Sequence, residues 1–199
     1  MDQYQRIAGH FQQAIELIAM SVDVLAEPIE RSSELISQAL LQENKVIVCG
    51  NGPDHALSQL FASNLINRFE YDRPGLPALS LGQSGSNLSA TSDTSNINDI
   101  FARQITALGQ AGDVLFCISS ECNHQSLQYA IQAAQERNMM IVALSNSSNQ
   151  QLGNMLRHKD VELIVTAQRQ PHVVEVQTMV IQCICELIEL SLFGDYDQE

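Results

Sequence analysis

Apolar residues recur near the start of the chain at intervals that alternate between four and three: Tyr4, Ala8, Phe11, Ile15, Ile18, Val22 and Leu25. That spacing draws one apolar stripe along a helix over residues 4–25, about three heptads long. Pro28 suits a first helical turn, so a second helix is expected over 28–42. The pattern then changes. Short apolar runs at 45–49, 77–81, 113–118, 140–145 and 161–165 read as strands. Helical stretches separate them at 55–69, 97–109, 124–137 and, briefly, 149–156. The polar stretch GQSGSNLSATSDTSN at 82–96 reads as a long loop, and loops of that length in compact domains are functional or mobile. Apolar runs alternating with helices predict an α/β fold. The expected architecture is a three-layer α-β-α sandwich around a five-stranded parallel sheet. Residues 1–199 are expected to form one domain, with N-terminal helices in 1–43, a sheet core at 45–165 and a C-terminal helix at 172–193.

That last helix carries two apolar seams. Val173, Val176, Val180, Cys183, Leu187 and Leu190 make one; Val174, Ile181, Ile184 and Ile188 make the other. A helix apolar on most faces must be covered on most faces. Together with the N-terminal stripe, this exceeds what one small sheet can cover, so a homo-oligomer is expected, a dimer or a tetramer.

Composition narrows the partners. The 199 residues hold 23 acidic and 10 basic side chains, a formal net charge of −13. Such a charge disfavours direct contact with nucleic acid or an anionic membrane, and suits a partner with a basic face. No apolar run reaches the roughly 18–20 residues of a membrane span. The opening MDQYQRIAGH has no signal-peptide pattern. Five cysteines, four of them in expected strands or helices, make no disulfide framework and point to reduced thiols in the cytoplasm.

Two loops should carry chemistry. The first follows strand 45–49 as Gly50-Asn51-Gly52-Pro53-Asp54-His55 and opens a helix. Free N–H groups at such a strand–turn–helix junction attract anions. Pro53 removes one donor, and Asp54 sets a negative charge where an anion would sit. The second loop, Ser119-Ser120-Glu121-Cys122-Asn123-His124-Gln125-Ser126, brings a run of hydroxyls to the end of strand 113–118. Asn51, Ser119, Ser120, Asn123 and Ser126 are the candidate ligand-binding residues of a phosphate-type cleft. Glu121 and Asp54 oppose an anion there. His55 and His124 are expected to pair with those two carboxylates. Asp54, His55, Glu121, Cys122 and His124 also form the rival possibility, a metal site of carboxylate, imidazole and thiolate ligands.

With both loops in view, the chain resembles the sugar isomerase (SIS) family, and within it both the phosphoheptose isomerases and the DiaA group that associates with the replication initiator DnaA. The segments that carry this are CGNG at 49–52, INRFEYDRPGLPALSL at 66–81, NDIFARQ at 98–104, ALGQAGDVL at 107–115 and the Leu-Phe near the C-terminus. The INRFE and RPGLPA segments, with Ala62-Ser63 ahead of them, are more similar to the DiaA group. The resemblance implies a flavodoxin-like SIS fold and a homotetramer. It also implies, for the isomerases, a zinc ion and the use of a His and a catalytic Glu from the helix after CGNG and of a His and a Gln from the last helix. Those four positions fall here on Leu60, Asn64, Gln177 and Val174. Leucine and valine cannot ligate zinc, and neither amide is a base. Asp93 keeps an acidic position of the family. The family's Ser-Thr-Ser-Gly-Asn-Ser phosphate loop falls on Ser119 to His124, where Cys122 replaces the glycine that allows close backbone approach.

The expectation is therefore a chain with no catalytic residue, no metal and no cofactor. Leu192 and Phe193, followed by Asp195, Asp197 and Glu199, are the expected contact for the DnaA initiator, an aromatic anchor with flanking charge. The rival expectations are an active phosphoheptose isomerase acting on sedoheptulose 7-phosphate and a sugar-phosphate sensor without turnover.

Overall fold

The structure is a computed structural model and describes residues 2–82, 84–94, 96–121, 125–148 and 150–194. Five parallel strands form one sheet in the order β2-β1-β3-β4-β5. They are β1 (Val46–Gly50), β2 (Ala78–Ser80), β3 (Val114–Ile118), β4 (Met140–Asn146) and β5 (Val161–Val165). Helices α1 (Gln3–Leu41), α2 (Pro53–Ile66), α3 (Gly85–Thr94), α4 (Ile100–Leu108), α5 (Gln125–Glu136), α6 (Gln150–Gly153) and α7 (Gln170–Phe193) surround it. This is the expected α/β sandwich.

The central strands are apolar over most of their length because both of their faces are covered. β1 and β3 are buried at every position. Side chains alternate across the pleat, so one strand feeds two cores. Val46, Val48, Val114, Phe116, Val142 and Leu144 pack with α1, α2 and α7. Ile47, Cys49, Leu115, Cys117 and Ile141 face the other way, against α4 and α5. Cys49 and Cys117 are register partners on neighbouring strands, with their sulfurs 3.6 Å apart. The edge strands are the short β2 and the alternating β5.

Three sequence expectations need correction. The two N-terminal helices are one continuous helix that runs through Pro28. An interior proline costs about 3 kcal/mol and a backbone hydrogen bond. The turns on either side hold α1 together, because Leu25, Ile36 and Leu40 are buried in the core shared with α7. Ser32 and Ser33 donate their hydroxyls back to the carbonyls of Pro28 and Glu30. The Ser-rich stretch expected as a loop is helical over Gly85–Thr94. Ser84 starts it, its hydroxyl accepting the Asn87 N–H at 3.3 Å, as N-cap serines do. The third correction concerns α7, which is long and apolar enough, by length and composition, to cross a membrane. Its apolar seam is spent inside the fold: Val173, Val176, Val180, Ile181, Ile184 and Ile188 are all buried in the core with α1 and the sheet.

The strand order reverses direction between β1 and β3. In open parallel sheets the crevice at that reversal, beyond the carboxyl ends of the strands, is where ligands bind.

Candidate functional site

A cleft of about 600 Å³ opens at that place. Among the described residues it is lined by Gly50, Asn51, Gly52 and His55 from the β1–α2 turn, Gly82 after β2, and Gln125 and Ser126 at the start of α5, with Leu88, Ile97, Asn98, Ile100 and Phe101 along one wall. The Asn51 amide donates to the Ser126 hydroxyl at 3.0 Å and ties the two loops together across the strand reversal. Asn98 is fixed in the same way, its amide donating to Gln125 at 3.0 Å. The turn itself depends on glycine. A side chain at Gly50 would put its first carbon 2.6 Å from the Asp54 carbonyl oxygen, and Gly52 sits at φ +53°.

Of the five candidate ligand residues, Asn51 and Ser126 line the cleft. Ser119 and Ser120 are buried beneath it, and their groups are committed elsewhere. The Ser119 hydroxyl donates to the Glu121 carbonyl at 2.7 Å. The Ser120 hydroxyl lies 3.4 Å from the Gln170 amide, which donates to it. Asn123 lies outside the described residues, as do Cys122 and His124 of the rival metal set.

Asp54 does not confront the cleft. It is 1% exposed, and its carboxylate accepts the Ser120 N–H at 2.9 Å. A carboxylate in the first turn of a helix is favoured by the aligned backbone dipoles. It serves here to bolt the start of α2 to the end of β3. His55 lines the cleft, and its ring nitrogen lies 3.4 Å from the Ser58 hydroxyl. Glu121 is exposed.

The four positions where the resemblance implies isomerase chemistry do not suit a zinc ion. Leu60 and Val174 have no donor atom. The Asn64 amide points to Cys185, donating to its sulfur at 3.8 Å. Burial pushes that thiol up to about 12, so it stays neutral. Gln177 is fully buried, and its amide nitrogen donates to the carbonyls of Ser119 at 3.1 Å and Leu144 at 3.5 Å. Its amide oxygen has no partner among the described residues. The amide oxygens of Asn64 and Gln177 are at most two donors, too few for zinc, which takes three or four protein ligands. Asp93 is exposed on α3.

These features can be set against known proteins. The SIS domain profile matches residues 9–146. This chain belongs to the SIS domain family. A phosphoheptose isomerase of Chromohalobacter salexigens is 41% identical over 194 residues, 98% of both chains. The DnaA initiator-associating protein DiaA of Photorhabdus laumondii is 38% identical over 192 residues, 96% of this chain and 98% of that one. The structure of the Neisseria gonorrhoeae phosphoheptose isomerase matches this SIS chain with a TM-score of 0.88 at 31% identity, covering 94% of this chain and 99% of that one.

The sequence reading missed a charged node at the far end of this SIS domain. Arg73 and Glu189 are both almost fully buried, with Nε and the carboxylate 2.6 Å apart. Arg73 also donates to the carbonyls of Asn64, Leu65 and Pro74. Glu189 accepts the N–H groups of Phe69 and Glu70. Burial alone would push the Glu189 carboxyl up. The hydrogen bonds from Phe69, Arg73 and Glu70 outweigh it and hold the group below the usual carboxylate range. The Arg73 guanidinium then lies over the Phe193 ring, 5.7 Å from its centre. Phe193 and Leu192 are half-buried, with Leu192 packed on the core. The acidic tail beyond Gly194 lies outside the described residues. An arginine in a Pro-rich turn and a glutamate between apolar residues of the last helix were the available signals.

Proposed function

We propose that this SIS-domain chain is not a catalyst and that it binds the chromosomal replication initiator DnaA and promotes its assembly at the origin, as a cytoplasmic homotetramer. The observation that carries this reading is Gln177, whose side chain is fully buried and holds two backbone carbonyls at one of the four positions where the resemblance implies isomerase chemistry. Leu60, Asn64 and Val174 supply neither a base nor a ligand. Relatives of similar identity carry the isomerase name and the DiaA name, so the choice rests on these side chains rather than on the fold.

The contact surface we assign to the initiator is Leu192 and Phe193. A half-buried aromatic whose ring is braced by a guanidinium is a preorganised anchor. Support for self-association comes from the apolar faces left on the monomer. Tyr4, Phe11 and Ile15 on α1 are 73%, 65% and 65% exposed. An apolar groove of about 340 Å³ runs between α1 and α7, lined by Ile18, Val22, Leu25, Val176, Met179 and Leu187. Several copies of one anchor on one particle would gather initiators without any chemistry.

The test is a quantitative pull-down of DnaA with the wild type and Phe193→Ala. The variant should bind at least about 30-fold more weakly, as loss of a hot-spot aromatic does. Equal binding would remove Phe193 from the contact.

A second reading has its own observation. The cleft retains its glycine turn and the Asn51–Ser126 clasp, which favours sugar-phosphate binding without turnover. A thermal-shift titration with sedoheptulose 7-phosphate checks it, because a ligand that binds only the folded state must raise the melting temperature.

A further inference from the structure

Away from the cleft, the second turn of α1 and the first two turns of α7 come together. Among the described residues, they gather His10, His172 and Glu175, whose potential ligand atoms all lie within 4.8 Å of one another. His10 Nε2 and His172 Nδ1 each lie 2.8 Å from a different oxygen of the Glu175 carboxylate. The two imidazoles stack with ring centres 4.6 Å apart. None of these residues occupies a position where the family resemblance implies a metal.

We propose that His10, His172 and Glu175 form a binding site for one divalent transition-metal ion of the zinc class, which would clip α1 to α7. Two imidazole nitrogens and a carboxylate oxygen are a donor set that suits zinc and its neighbours and not magnesium, which prefers oxygen ligands and its own waters. His172 and Glu175 lie three residues apart on one helix, so α7 presents them side by side. Zinc holds such ligands at about 2.0–2.2 Å, so the ion replaces the shared protons and asks for ligand shifts of about an ångström.

The surroundings weigh on both sides. Gln13 Oε1 lies 3.4 Å from His172 Nε2, placed to accept its N–H and so leave Nδ1 free for the metal. Arg169 lies 3.4 Å from the same Nε2, and its charge opposes a cation. Of the three ligands, His172 lines an open cleft of about 760 Å³ together with Gln13 and Arg169. The net charge of −13 draws cations towards the whole molecule.

The alternative is a hydrogen-bonded clasp in which the carboxylate merely joins two histidines. Calorimetry on the chelator-stripped full chain separates the two, with Zn²⁺ as the probe and Mg²⁺ as the control. The proposal expects saturable binding of one Zn²⁺ per chain and none of Mg²⁺. It expects His10→Ala and Glu175→Gln each to weaken binding at least about tenfold. Zn²⁺ should raise the melting temperature of the wild type and leave that of His10→Ala unchanged. His10 is only half-buried, so its variant folds even where Glu175→Gln does not. No saturable Zn²⁺ binding, or the same affinity in wild type and His10→Ala, overturns the proposal.

Discussion

Arg73→Ala should lower the stability of the chain by about 3–5 kcal/mol, the cost of leaving one charge of a buried pair without its partner. Glu189 would stay buried with only the Phe69 and Glu70 N–H groups to hold it. The 64–74 turn would also lose the three carbonyl contacts that Arg73 makes. A denaturant titration at neutral pH measures the loss. The paired replacement Arg73→Met with Glu189→Leu should cost less than the two single losses added, since no stranded charge remains. The node also has a pH signature. The folded Glu189 carboxyl is held below its ordinary value, so its contribution is complete above the unfolded value of about 4.3 and disappears as pH falls through the lower folded value. The gap in stability between wild type and Glu189→Gln should therefore be widest above about pH 5 and narrow with acid. A gap independent of pH would contradict the pairing.

Phe61→Ala should cost about 3–5 kcal/mol as well, through a cavity rather than a charge. Phe61 is fully buried on α2 and meets Phe116 of β3 edge to face, with ring centres 4.7 Å apart. An edge-to-face pair adds about 0.5–1.5 kcal/mol to the area it buries. A loss of that size would lower the melting temperature by roughly 6–20 °C for a chain of this length. Because α2 and β3 carry the two halves of the cleft, the variant should also weaken any sugar-phosphate shift. A change below about 1 kcal/mol would show that α2 does not lean on this pair.

The sheet was legible because fully covered strands read as unbroken apolar runs, such as Val46–Cys49 and Val114–Ile118. The joining of residues 4–25 and 28–42 into one helix was not, because Pro28 is a local breaker and only packing on α7 overrides it. Helix α3 hid behind serines that read as loop, although Ser84 was there to cap it. That Asn51 and Ser126 line a cleft was legible because glycine turns and strand ends mark such crevices. Ser119 and Ser120 were assigned to the cleft because sequence gives a hydroxyl but not its partner. Asp54 was read as facing an anion for the same reason. The Arg73–Glu189 and His10–Glu175 contacts join residues 116 and 165 positions apart, and only the folded chain brings them together.

On the proposed reading, this SIS domain lacks turnover. Its most direct test is isomerisation of sedoheptulose 7-phosphate by the purified full chain supplied with Zn²⁺. No product is expected above the uncatalysed background. Turnover that a chelator abolishes would contradict it.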